Sequence, residues 1–278
     1  MGGCSGDHAS IHDDITATEF GFAQGAIEGP THFSQFVPLL ATLWGQKWFE
    51  TGCISVHYEQ VCYEGDAVRA QVAFVGDAPR VGQITMEKED GSRVLSGTAS
   101  VGPDYGETEL EGRLARVIPP KAPRILDRLA VGQKAEPGVV IMSYVDRMGS
   151  LYPYSLEEKL KVITEPSPWY EAERGRSSPW GRSVIPLEML SVLAQYTSTD
   201  AFPVREPSVA LFIDQEIRLI GGPLFVGQEY EVERDIVALG ESRRTESYWV
   251  ATTLYDRDDH APVMNMLLHT GVLKESYK

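Results

Sequence analysis

The chain has 278 residues, 42% hydrophobic and 23% charged, the balance of a folded globular protein long enough for one large domain or two ordinary ones. Its formal net charge of -15 argues against nucleic acid or an anionic membrane as partner, because phosphate affinity comes largely from Lys and Arg. Cys4, Cys53 and Cys62 are odd in number and lack CxxC or Cys/His spacing, which predicts neither a disulfide framework nor a metal site and fits a reduced, cytoplasmic setting.

Met1–Asp14 has no basic segment followed by an apolar one, so no secretory signal is expected, and no run approaches the roughly 20 apolar residues that cross a bilayer. Met1-Gly-Gly-Cys-Ser-Gly6 is close to a myristoylation start, but Gly6 stands where Ser or Thr is needed; the segment reads as a disordered tail. After a short approach, Ile15 to Gly29, an apolar helix is predicted over Val37–Trp44, opened by Pro38. Alternating strands on either side of Gly65-Asp66 follow between Ile54 and Val72. A hairpin from Ile84 to Val101 turns at Asp90-Gly91.

Gly102–Pro123 reads as a linker, rich in Gly, Pro, Glu and Arg. Beyond it lies a long lead, from Pro137–Val145 through Tyr152-Pro-Tyr-Ser-Leu156 to Tyr170. A second apolar helix spans Ile185–Leu193 and is opened by Pro186. Strands follow at Ala210–Leu219 and Phe225–Glu233, with a closing hairpin from Trp249 to Val272. The order helix, strand, turn, strand, hairpin therefore occurs twice, which divides the chain into residues 15–105 and 124–275 and predicts an α+β fold of two antiparallel sheets, each wrapping one helix.

Candidate chemistry is sparse. GxGxxG, GxxxxGK[ST] and GxSxG are all missing, so no nucleotide cofactor, or cofactor of any kind, and no α/β-hydrolase elbow is expected. Arg174, Arg176 and Arg182 form a basic group in an acidic chain, suited to a ligand's phosphates or carboxylate, or simply solvated. His57, His260 and His269 fall on predicted strands or a turn and read as structural, whereas His32 precedes the first helix with Glu28 four residues upstream.

The segment Glu165-Pro-Ser-Pro-Trp-Tyr170, followed by Ser178-Pro-Trp-Gly-Arg-Ser-Val-Ile-Pro186 and the second helix, resembles the active-site overhang of MaoC-like dehydratases and (R)-specific enoyl-CoA hydratases. That family has Asp-x-Asn-Pro-x-His there. This chain keeps the Pro as Pro168 and the spacing, but has Glu165 for the acid, Ser167 for the amide and Tyr170 for the His. Val56-His-Tyr-Glu-Gln60 ahead of Gly65-Asp66 likewise resembles the His-containing strand and turn of double-hotdog dehydratases.

The resemblance implies a double hotdog and a hydro-lyase acting on an enoyl or β-hydroxy acyl thioester, with coenzyme A as the expected carrier. It assigns the acid–base roles to Glu165 and Tyr170, with His32 approaching from the other half and Glu28 orienting it. Ser167, Trp169 and Arg182 would bind substrate, and the backbone N–H after Gly181 would polarise the thioester carbonyl as a free helix-start donor. The changed residues keep two alternatives open: a divergent hotdog protein that binds an acyl or aromatic ligand without turnover, and a thioesterase. A homodimer of such pseudo-dimers is the expected assembly.

Overall fold

The computed structural model describes residue 12 and residues 14–74, 80–149, 152–198 and 200–277, so the Met1–Gly6 motif and Cys4 lie outside the described residues. In chain order come α1 (Asp14–Glu19), α2 (Thr31–Trp44) and α3 (Gln46–Thr51), then β1 (Gly52–Tyr58), β2 (Val68–Phe74), β3 (Val81–Lys88) and β4 (Arg93–Val101). The segment read as a linker contains α4 (Glu109–Leu114), started by a capping box between Thr108 and Glu111. Then follow β5 (Gly138–Ile141), α5 (Leu156–Leu160), α6 (Leu187–Gln195), β6 (Ala210–Leu219), β7 (Glu229–Glu241), β8 (Thr245–Asp256) and β9 (Pro262–Leu273).

The strands form one antiparallel sheet of nine in the order β2-β3-β4-β1-β6-β9-β8-β7-β5. Matching β1 to β6, β4 to β9, β3 to β8 and β2 to β7 makes the two halves mirror one another across the β1–β6 seam, with β5 the extra strand of the second half. The seam pairs Cys53 with Arg218 and His57 with Asp214. Both closing hairpins are present, as the β3–β4 and β8–β9 ladders. The sheet is thus a continuous pseudo-dimer around two central helices, α2 and α6.

α2 buries Phe33, Phe36, Val37 and Leu40, a spacing that puts all four on one helix face. α6 is buried from Leu187 to Ala194, as befits a helix enclosed by both halves. Two expectations need correcting. Pro38 lies inside α2 and does not open it: the helix begins at Thr31, directly after Pro30, because backbone carbonyls from Glu28 to Pro30 already accept the first N–H groups. The strand expected over Phe225–Glu233 starts only at Glu229, because Gly227 turns at φ +79 and donates its N–H to Met142.

The two helices cover their sheets unequally. α2 has 14 residues, about 21 Å, against first-half strands of 7 to 9 residues. α6 has 9 residues, about 14 Å, against β8 and β9 of 12 residues each, about 40 Å. The uncovered end of the second sheet is partly filled by Ile125, Leu126 and Leu129, packed with Phe202 on Ile236, Val250 and Val272. Between that small cluster and the end of α6 the sheet stays open.

Candidate functional site

The opening is a cleft of about 690 Å³. Its floor alternates along the strands, with Tyr248, Val250 and Thr252 from β8, Met266, Leu268 and Thr270 from β9, and Phe212 from β6. Arg234 of β7 and Gln195, at the end of α6, bound one side. Glu28, Gly29 and Pro30 ahead of α2, together with Tyr152 from the second-half lead, bound another. Both halves therefore contribute to its wall. Gly29 is required by close approach: a Cβ there would lie 2.7 Å from Cζ of Tyr58.

At the Glu28 wall sits a polar cluster joining the starts of both central helices. The Tyr154 hydroxyl donates to Glu28 Oε2 at 3.0 Å. Lys159 Nζ lies 3.1 Å from Glu188 Oε1 in the first turn of α6 and 3.9 Å from Glu28 Oε2, and donates to Thr31 Oγ1 at 3.3 Å. Glu188 is 2% exposed, and its Oε1 meets Lys159 as an ion pair without hydrogen-bond alignment. Burial raises its carboxyl above the usual range, against the pull of Lys159. Tyr152 is buried on the same wall as Glu28; burial, then the charge of Glu28, raises its pKa and keeps the phenol a proton donor.

The residues singled out in the sequence separate into groups. Glu28 lies at the cleft, but its partners are Tyr154 and Lys159. His32 is 3% exposed and meets Gln35 Oε1 at 3.0 Å, so the expected Glu28–His32 pairing is replaced. Burial lowers the His32 pKa, the Gln35 bond opposes, and Lys88 of the first-half sheet adds to the lowering. His32 takes no part in lining the cleft.

In the overhang, Glu165 is half-buried and accepts from the Thr164 hydroxyl. Tyr170 is 2% exposed; burial raises its pKa first, and the charges of Glu188 and then Glu165 add to the rise. Ser167 caps the short helical turn of Pro168–Tyr170, accepting from the Trp169 N–H. Trp169 packs edge-on against Phe49 and Trp180, with ring centroids 5.1 and 5.7 Å away. Gly181 makes a turn at φ +67, ahead of α6 at Leu187 rather than at its start. The following N–H, of Arg182, already donates to Ser178 Oγ, and the Arg182 guanidinium lies over the Phe225 ring at 4.2 Å.

The remaining histidines are built into the fold. On the sheet face away from the helices, His57 and His269 both hydrogen-bond Asp214, which is 1% exposed, and Trp249 stacks on His269 at 4.1 Å. Burial would raise the Asp214 carboxyl, but the two histidine bonds prevail and hold it below the usual range. His260, at φ 55 in the β8–β9 turn, meets Glu231 at 2.8 Å. Cys53 and Cys62 are free and buried. Among the described residues no helix is long and apolar enough to cross a membrane, and no group of three or more His, Cys, Asp or Glu side chains could hold a metal ion.

Tyr152, Tyr154, Lys159, Glu188 and Arg234 were not singled out in the sequence. One usable signal was Ser155-Leu-Glu-Glu158, a capping box that fixes a short helix and hence the direction of Lys159.

No protein-family model matches the chain, and no curated protein matches it in sequence. Solved structures do resemble it. A Chloroflexus aurantiacus J-10-fl protein described as a MaoC domain protein dehydratase aligns at TM-score 0.59 and 14% identity, covering 95% of this chain and 86% of that one. A conserved hypothetical protein of Mycobacterium tuberculosis with a double hotdog fold aligns at 0.58 and 10% identity, covering 94% and 86%. A MaoC-like dehydratase aligns at 0.53 and 12% identity, covering 96% and 88%. With its mirrored strand order around two central helices, the chain has the double hotdog fold and shares it with these structures.

Proposed function

We propose that the protein is a hydro-lyase that adds water to, or removes it from, an enoyl or β-hydroxy acyl substrate, carried as a thioester. The observation behind this reading is the 690 Å³ cleft with the Glu28 carboxylate at its wall, held by Tyr154 and Lys159 where the two central helices begin. In the hydration direction Glu28 takes a proton from water as the water oxygen bonds to the β-carbon. The same proton is then delivered to the α-carbon as the enolate so formed collapses back to the carbonyl and the α,β double bond is lost, so one carboxyl group serves both steps. The Tyr152 hydroxyl, a protonated donor on the same wall, hydrogen-bonds the thioester carbonyl as negative charge gathers there. Lys159 holds Glu28 in place from 3.9 Å, and Glu188 fixes Lys159 from the other side.

The test is the disappearance of enoyl absorbance when purified protein is given enoyl-CoA thioesters of graded chain length. Glu28→Gln should lower turnover by about 10²- to 10⁴-fold, the usual contribution of a general acid–base group. Tyr152→Phe should lower it by about 10²-fold, as loss of an oxyanion donor does. Full activity in Glu28→Gln would remove the assignment. In that case Glu165→Gln becomes the informative variant, since the charge of Glu165 bears on the Tyr170 hydroxyl and the overhang supplies a second candidate pair.

A different reading is ligand binding without turnover. The packing of Trp169 and Trp180 on Phe49, and the use of Ser167 as a cap, favour it, because these turn the overhang into scaffold. Thermal stabilisation by acyl thioesters in a folded protein that turns none of them over would establish it.

A further inference from the structure

Arg234 projects from β7 into the second-half core and is 5% exposed. Its Nε and Nη2 both donate to the Ala194 carbonyl, at 2.9 and 2.6 Å, and Nη2 also donates to Thr197 Oγ1 at 2.8 Å. Ala194 lies in the last turn of α6, whose C-terminal end carries roughly half a negative charge. The guanidinium carries a full positive one. Among the described residues no carboxylate lies within ion-pair distance of it, and Nη1 makes no hydrogen bond there. Arg234 lines the cleft, so its guanidinium is reachable from that cavity. Burial pushes its pKa down to about 10, still far above neutrality, so the cation persists.

An enclosed cation left half-compensated beside an open cavity is a receptor for an anion. The surroundings narrow the choice. Val250 and Leu268 make the adjoining floor apolar, and the walls carry Glu28 and Asp200 as well as Arg128 and Arg205, so no excess of positive charge favours a dianion. One free edge of one guanidinium suits a single negative charge. We propose that Arg234 binds a carboxylate at the end of the cleft, so that the acyl substrate carries a second, free carboxyl group remote from its thioester. The proposal rests on reading the cleft as the substrate site, and it concerns a wall that the acid–base chemistry does not use.

Calorimetric titration of the whole protein can test it with monomethyl esters of glutaric, adipic and pimelic acids, each against the matching methyl ester amide. The ester end stands in for the thioester and the free end carries either charge or none. Wild-type protein should bind the best acid at least about tenfold tighter than its amide, the low end of what a hydrogen bond to a charged group contributes. Arg234→Gln should erase that preference and Arg234→Lys should keep part of it. Because Arg234 also holds the end of α6, the glutamine variant could fail to fold; the wild-type comparison decides alone. Equal affinity for acid and amide, no binding of either, or tighter binding of inorganic phosphate would overturn the proposal.

The two readings fail separately. A clear acid preference in a protein that turns over no enoyl thioester leaves the carboxylate site standing and removes the hydro-lyase. Glu28-dependent turnover with equal binding of acid and amide does the reverse.

Discussion

Replacing Lys159 with Met removes the cation that joins the two central helices while keeping an unbranched stem. Lys159 Nζ lies 3.1 Å from Glu188 Oε1, and the side chains are 14% and 2% exposed. At an effective dielectric of 20 the gross attraction at that distance is about 5 kcal/mol. What the variant loses is the net cost of leaving Glu188 buried without its partner, about 3–5 kcal/mol for a broken buried pair. Protonation of Glu188 limits the loss. Its carboxyl already sits above the usual range through burial, and without Lys159 it moves higher. A carboxyl raised by folding favours the folded state below its unfolded pKa, and that contribution disappears as pH rises through the folded value. The deficit should therefore be small near pH 4 and grow to about 3 kcal/mol at pH 7.5. Urea denaturation at the two pH values reads it as a midpoint shift of roughly 1 M at the higher pH, with an unchanged slope. Lys159→Met/Glu188→Gln should recover most of the loss, since neither charge is then stranded. A deficit below about 0.5 kcal/mol at pH 7.5, or one equal at both pH values, would refute the reasoning.

Asp214, held below the usual carboxylate range by His57 and His269, contributes stability that is complete above its unfolded pKa and lost as pH falls through its folded value; Asp214→Asn should therefore destabilise at neutral pH and flatten the acid limb of the stability curve, and an acid limb identical to wild type would argue against it. Gly29→Ala places a Cβ 2.7 Å from Cζ and 2.9 Å from the hydroxyl of Tyr58, whose bond to Gln215 at 3.0 Å must then shift. The expected cost is about 1–3 kcal/mol in denaturant titration, and an unchanged midpoint would show that the ring moves aside freely.

The fold was legible because its signals are local and repeated. The Asp90-Gly91 turn, the alternation of Ala210–Leu219 and the apolar run after Pro186 each fix an element within a few residues, and their recurrence in one order fixes the pairing of halves. Pro38 misled because proline at a first turn and proline inside a helix read alike when the helix must be enclosed for other reasons. The site was less legible for a different cause. Glu28, Thr31, Tyr154, Lys159 and Glu188 come from three separate stretches, and only the closed pseudo-dimer brings them within 4 Å of one another's polar atoms in a chain of contacts. The overhang advertised Trp169 and Tyr170 by spacing alone, and spacing is equally served by an aromatic contact with Phe49. The cleft itself has no sequence motif, since it arises from a short helix beneath long strands.

The β1–β6 seam has a consequence for synthesis in the cell. β1 finds one partner in β4, soon after it is made, but its other edge waits for β6, with Cys53 paired to Arg218. At ordinary translation rates the roughly 160 intervening residues take about 10–30 s to emerge. Throughout that interval the nascent first half presents an unpaired strand edge, carrying the apolar residues Ile54 and Val56, to any neighbouring chain on the same message. A sibling first half offers the same edge, antiparallel and self-complementary. Exchange between nascent copies is therefore the characteristic misassembly of this architecture, and chaperone capture of the ribosome-bound first half is its natural remedy.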